Sequence, residues 1–285
     1  RKNLLWLKAF WSICFGQYGF SLDLVFSALV RQNNFMALIE TEGLILKSYS
    51  LAEADKIIIL LTQQHGVVRG VAKGAKRLKS RFGGSLEPFT IVQIQYNQKE
   101  ERELVSIRQI DLVRSFFTQA SNPNFLQKFA YLIEILIEFA PPHDPNENLY
   151  RMTKVCLETA ASNLESLESI TVYFELWLLR LGGYLPNWNK CDHCRKDLTS
   201  NNLASLQINF HLMCSDCRKT KTNWTINASQ RQIFNSAQRL SPSNFAEFAN
   251  QKTGDLKEIS TILKRIISNI LGREVSEQQI LVAGT

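Results

Sequence analysis

The chain has 285 residues, 45% of them hydrophobic and 21% charged, with 33 Lys and Arg against 26 Asp and Glu for a net charge of +7. This composition excludes intrinsic disorder and leaves room for two domains with real cores. The positive balance favours a polyanionic partner only modestly, and six cysteines in so long a chain do not read as a secreted disulfide scaffold.

Residues 1–35 are strongly apolar, but Lys8 and Asp23 bound an uncharged run of only 14 residues, Ala9–Leu22, short of the ~20 that a bilayer needs. Arg1 and Lys2 could begin a signal sequence, yet no small-x-small cleavage site follows. The segment reads as an extension upstream of a working start at Met36, or as a mis-set reading frame. A membrane-surface anchor or targeting segment is the competing reading. Cys14, inside it, supports no interpretation.

From Met36 the pattern turns strand-like. Glu42–Lys47, Ile57–Thr62, Val67–Ala72, Thr90–Tyr96 and Leu104–Val113 are short apolar or alternating runs separated by turn residues. Five such strands in about 80 residues predict a small barrel of OB-fold size. After Ser121 the period becomes helical. Asn122-Pro123 reads as a cap followed by a first-turn proline, and Phe125, Phe129, Leu132, Ile133, Leu136 and Ile137 form a stripe. Pro141-Pro142 stops this helix. Further helices are predicted over about 145–163 and 165–181, the latter ended by Gly182-Gly183, and three in sequence suggest a bundle. A last clear helix runs from Asp255 to Leu271, with Ile259, Ile262, Leu263, Ile266, Ile267 and Ile270 as its stripe.

Between them lies Cys191-x2-Cys194-x19-Cys214-x2-Cys217, the spacing of a four-cysteine zinc site. Each C-x-x-C turn offers two sulfurs to one metal, and a shell filled by four thiolates leaves no open position, so the zinc is expected to be structural, one per chain. A redox dithiol pair or two disulfides are the competing readings. His193 and His211 are nearby but are expected outside the shell, and Cys156 falls on an apolar helical face as core. The 19-residue insert is expected to be too small to build a core without the metal.

No Walker loop, G-x-S-x-G, H-E-x-x-H or G-x-G-x-x-G occurs, and the chain is read as non-enzymatic. Glu53 and Asp55 are read as solvated acids at a strand turn. The charge is unevenly distributed: residues 56–86 hold seven Lys and Arg and no acid, whereas 121–189 hold four basic and eight acidic residues. Arg69, Lys73, Lys76, Arg77, Lys79 and Arg81 fall within thirteen positions punctuated by glycine. On a barrel, such a loop is expected to frame a groove for a single strand, its cations tracking phosphates, with Phe82 and Phe89 as candidates for base stacking, Phe89 favoured as core. A solvated basic edge is the bland alternative.

These residues resemble the RecO family of bacterial DNA-repair proteins. The likeness rests on 42-EGLILK-47, the Glu53-x-Asp55 turn and 70-GVAKGAKRLKSR-81. It continues in 180-RLGGYLPNWNKCDHC-194 and, weakly, in 272-GREVSEQQIL-281. It covers about 36–272, and the family pattern begins at Met36, whereas 1–35 departs from it. The resemblance implies an α+β protein: an OB-fold barrel over 36–116, then a helical bundle domain over 121–285 with a zinc module at 190–220 inserted. It implies a non-catalytic, cytoplasmic, nucleoid-associated protein of DNA repair and homologous recombination. Such proteins bind single- and double-stranded DNA and anneal complementary strands. With RecR they help load RecA onto strands coated by single-stranded-DNA-binding protein, whose C-terminal tail the helical domain would engage. By position, Arg69, Lys73, Lys76, Arg77, Lys79 and Arg81 would meet phosphate. The rivals are an RNA-binding barrel and zinc-ribbon protein of translation or RNA metabolism, a zinc-dependent nucleic-acid enzyme, and a structural adaptor with an idle loop.

Overall fold

The computed structural model describes residues 37–98, 103–198, 203–218 and 224–275. The readings made for 1–36, and for the tail beyond 275, fall outside these. Five strands come first: β1 (Ala37–Leu51), β2 (Asp55–Thr62), β3 (Gly66–Ala72), β4 (Thr90–Gln98) and β5 (Leu104–Ser115). All five were expected, and each extends beyond its apolar run. They form a closed barrel in the order β1-β2-β3-β5-β4. β1 makes this possible by its length. Its first part pairs with β4 from Ala37 to Ile45, its second with β2 from Gly43 to Leu51, and the register shifts between Ile45 and Lys47. A bulge of this kind bends a strand from one partner to the next.

Closure is completed by a short parallel pairing of Arg69–Val71 with Leu104–Ser106. Gly70 lies at its centre, where a β-carbon would stand 2.9 Å from the Val105 and Ile107 side chains. Only glycine lets β3 approach β5 this closely.

The strands alternate between two cores. Ile58, Leu60, Val68, Val92 and Ile94 fill the barrel. Leu44, Leu46, Ile59, Leu61 and Val67 face outward yet are also buried, because they share a core with the helices. The unbroken apolar run of β2 is therefore a strand covered on both sides.

The helices are α1 (Phe117–Ala120), α2 (Pro123–Phe139), α3 (Glu147–Ser162) and α4 (Leu167–Leu181), then α5 (Ala228–Ala237), α6 (Pro242–Ala249) and α7 (Thr253–Leu271). Asn122 caps α2 as the sequence indicates, its side-chain oxygen accepting from the Asn124 and Phe125 N–H groups. α4 is buried almost all round and touches α2, α3, α5, α6 and α7. A helix apolar on every side belongs at the centre of a bundle. α7 buries Ile259, Ile262, Leu263, Ile266 and Ile267 of the stripe read from sequence and adds Leu256, while Ile270, the stripe's last member, is only partly buried; Gly272 ends the helix at φ +66°.

Several contacts fix the barrel on the helices. Glu42 of β1 accepts from the Tyr150 hydroxyl and the Lys154 ammonium of α3, both at 2.6 Å. Burial alone would raise the Glu42 pKa, but these two bonds outweigh it and hold the carboxyl below its ordinary value. Lys47 pairs with Glu134 of α2, and Arg114 with Glu158 of α3 at 3.4 Å. At the start of β3, His143 N–H donates to the Val67 carbonyl at 3.0 Å. Gly66 makes this contact possible: its φ is +62°, and a β-carbon there would stand 2.1 Å from the Asp144 carbonyl oxygen. Gly66→Ala is expected to destabilise the protein by roughly 3 kcal/mol or more, from left-handed strain added to a backbone clash. Urea denaturation checks this, and a loss below 1 kcal/mol would contradict it.

Candidate nucleic-acid interface and metal centre

Residues 73–89 connect β3 to β4 at the barrel end that also carries the β1–β2 turn, 52–54. The segment is a chain of tight turns, with Arg77 N–H donating to the Gly74 carbonyl at 3.1 Å and Ser80 N–H to the Arg77 carbonyl at 2.9 Å. Phe82 and Leu86 point inward and are 2% and 1% exposed in the barrel core. The loop is therefore a plug that closes the barrel end, not a flap framing a groove.

This corrects the stacking expectation. Phe82 is core, with the Arg81 guanidinium 4.8 Å over its ring. Phe89 is core as well, packing edge-on against Phe125 and Phe129 at 6.0 and 6.3 Å. Neither ring is open to a base.

The cations face the other way. Lys73, Lys76, Arg77, Lys79 and Arg81 are exposed on the plug, and Arg69 is exposed on the barrel wall of β3. Among the described residues none of the six makes an ion pair, and Glu87, the loop's own acid, is engaged by Lys56 at 3.1 Å. The plug is strapped to the neighbouring turn: Gly74 N–H donates to Asp55 Oδ1 at 2.8 Å, Lys76 N–H to the Ala54 carbonyl at 2.9 Å, and Lys76 Nζ to the Ala52 carbonyl at 3.2 Å.

Asp55 is thus the residue that sequence reasoning misplaced. It is a clamp for the basic loop, not a solvated acid. Asp55→Ala is expected to cost about 1–2 kcal/mol and to loosen the loop, while Asp55→Asn, which keeps the acceptor, should recover most of that. Urea midpoints of the two variants measure the difference.

The four cysteines come together around one point. Cys191 and Cys194 follow α4, and Cys214 and Cys217 lie between the last two strands of a small sheet of order β7-β6-β8, built from β6 (Ala204–Leu206), β7 (Leu212–Met213) and β8 (Thr225–Ile226). Each pair forms a tight turn: Arg195 N–H donates to the Cys191 carbonyl at 3.0 Å with Arg195 at φ +60°, and Cys217 N–H to the Cys214 carbonyl at 3.2 Å. The four sulfurs lie within 4.8 Å of one another, and Cys194 and Cys214 are 3.8 Å apart. Zn–S bonds of about 2.3 Å in a tetrahedron place sulfurs about 3.8 Å apart, so the donor set and its size fit zinc.

Burial pushes the Cys191 thiol up, but the backbone N–H groups of Cys194, Cys214 and His193 outweigh it and bring it down to about 6. Cys217 is pushed up to about 12 by sharing protons with the Cys194 and Cys214 sulfurs. His211 is not aimed at the sulfurs; its Nδ1 lies 3.4 Å from Asp192 Oδ1. Cys156 is fully buried beside Met152, where burial raises its thiol, and is core as expected.

The segment between the cysteine pairs joins a larger core. Leu198, Ala204, Leu206 and Leu212, with Cys191 and Cys214, belong to the same core as the helices, and Trp188 stacks on Phe234 of α5 at 4.8 Å. The segment between the cysteine pairs has a core because it borrows one. Among the described residues, no helix is long and apolar enough to cross a membrane.

Residues 36–116 match the family model described as "Recombination protein O N terminal", and residues 129–278 match "Recombination protein O C terminal". The chain is 28% identical over 246 residues to a DNA repair protein RecO of Koribacter versatilis, covering 85% of this chain and 96% of that one. It is 32% identical over 158 residues to the protein of the same description from Thermodesulfovibrio yellowstonii, covering 55% and 62% of the two chains. A third, from Dehalococcoides mccartyi, is 27% identical over 194 residues, covering 68% and 76%.

Proposed function

Because the chain belongs to the RecO family, we propose that it is a non-catalytic DNA-binding protein of repair and homologous recombination that anneals complementary single strands. In this reading it works with RecR to help load RecA onto strands coated by single-stranded-DNA-binding protein, whose C-terminal tail docks on the helical part. The barrel is an OB-fold module, the helices with the four-cysteine segment form the second domain, and the zinc is structural. The protein acts in the cytoplasm, at the nucleoid.

One observation carries this reading: six exposed cations, free of ion pairs among the described residues, five on a plug pinned to a rigid barrel and Arg69 on the barrel wall beside it. Two complementary strands repel each other. A surface that neutralises phosphates lowers that repulsion while leaving the base edges free to pair. The absence of an accessible aromatic in the loop suits this role, because phosphate contact alone carries no sequence preference. Pinning also matters, since a pre-ordered loop loses less conformational entropy on binding. Zinc would be held by Cys191, Cys194, Cys214 and Cys217 and would supply cross-linking of the two turns, with no reacting position.

The test is the annealing rate of two complementary oligonucleotides with and without the protein. Acceleration that disappears at high salt is the expected result. No acceleration, together with a clear preference for structured RNA in competition, would favour the RNA-binding alternative.

A further inference from the structure

A second feature lies away from the basic loop. Residues 207–211 form the turn of the β6–β7 hairpin, held by Gln207 N–H to the His211 carbonyl and Phe210 N–H to the Gln207 carbonyl, both at 2.9 Å. Phe210 takes φ +62° to make it. The hairpin tip presents Ile208 at 92% exposure. Together with Leu206 of β6, Trp224 just before β8, and α7, this turn walls a cavity of about 170 Å³. Ile208, Phe210 and Ile262 give it apolar sides, and Trp224, 36% exposed, gives it an aromatic one. Arg265 of α7 lies with its guanidinium carbon 5.2 Å from the Trp224 ring centroid and supplies the single formal charge among the described lining residues. Gln207 also lines the cavity, and its side-chain Nε2 is buried without a hydrogen-bond partner.

A buried amide donor without a partner costs free energy unless a ligand supplies an acceptor. The ligand that answers all four features is a flat ring bearing a carbonyl, attached to an anion: a nucleobase with its phosphate. The volume suits one such ring and not a drug-sized molecule. We propose that this cavity is a base-stacking site for single-stranded nucleic acid, with Trp224 and Ile208 against the ring, Gln207 Nε2 donating to a base carbonyl and Arg265 meeting the adjoining phosphate. The proposal rests on the DNA-binding function and deepens it. The basic loop takes the backbone of a strand without reading it, whereas this pocket takes an unstacked base, which selects single strands over duplex.

The test compares binding of a fluorescent oligothymidylate with an abasic oligonucleotide of equal length, using the full chain. The wild type is expected to bind the abasic strand on the order of 10-fold more weakly. Trp224→Ala should remove this discrimination and Trp224→Phe should retain part of it. Ile208→Ser, at an exposed tip where folding is not at stake, should reduce it. If the wild type binds neither strand, the DNA-binding reading itself fails. If it binds both equally and all variants match it, that reading stands and this site is overturned. An acidic peptide ending in phenylalanine whose binding depends on Trp224, without base discrimination, would likewise overturn it in favour of a peptide partner.

Discussion

Replacing Cys191 and Cys214 together by serine is expected to abolish metal binding and lower the melting temperature by on the order of 10 °C or more. The size follows from where the cluster sits. Cys191 and Cys214 are 0% and 5% exposed, and they pack in the core shared by the helices and the sheet of β6, β7 and β8. That sheet is too small to persist alone, its strands being two or three residues long. The metal ties the segment that follows β7 to the chain leaving α4, so loss of the metal is expected to release Leu206 and Leu212 from the core as well as the turns. Structural zinc binding in small peptides is worth about 10–16 kcal/mol in apparent terms, and a site docked on a larger core should depend on it less. Metal analysis should give close to one zinc per chain for the wild type and none for the double variant. A wild type purified without chelator that carries far less than one zinc, and melts with the variant, would remove zinc from the account. Cys156→Ala is the control, since that cysteine is buried but outside the cluster.

What could be read from the chain without coordinates divides along physical lines. The five strands, the capped α2, the α7 stripe and the four-cysteine spacing were legible because each is a local pattern of period, cap or ligand spacing. The features that needed the fold depend on distant partners. Phe82 sits among Lys, Arg and Gly, and nothing in its neighbourhood says that the barrel end requires a plug. Asp55 is an ordinary acid at a strand start until Gly74, nineteen positions later, turns its N–H toward it. Closure of β3 on β5 brings together residues 35 apart in sequence, and its one local trace is the glycine at 70. The buried Glu175 accepts from the Tyr131 hydroxyl at 2.7 Å in the centre of the helices, a partner 44 positions away that no local pattern points to. The continuous apolar run of β2 did carry a signal: a strand buried on both faces has no polar side to alternate with, which foretells a partner layer outside the barrel.

The basic loop yields the other large effect. Lys76→Glu/Arg77→Glu is expected to weaken single-strand binding by roughly 30-fold at 0.1 M salt from the two lost phosphate contacts, and further through repulsion. If all six cations meet phosphates, the wild-type plot of log affinity against log salt should slope at about −4, and the double variant should fall to about −3, since each contact contributes about 0.7. The two substitutions spare the backbone straps of the plug. Both residues are exposed; Lys76→Glu gives up the exposed Nζ bond to the Ala52 carbonyl but keeps the backbone N–H bond to the Ala54 carbonyl, and the Gly74–Asp55 strap is untouched. Folding should therefore be retained, which a melt alongside the binding curve verifies. The slope distinguishes the readings more sharply than affinity alone. An idle loop predicts unchanged affinity and slope. A loop that attracts DNA only at long range predicts a faster loss of association rate than of affinity, because steering acts on encounter. Direct contact predicts that slope and affinity fall together, and annealing with them, since the charges that hold the strand are the same charges that screen it from its complement.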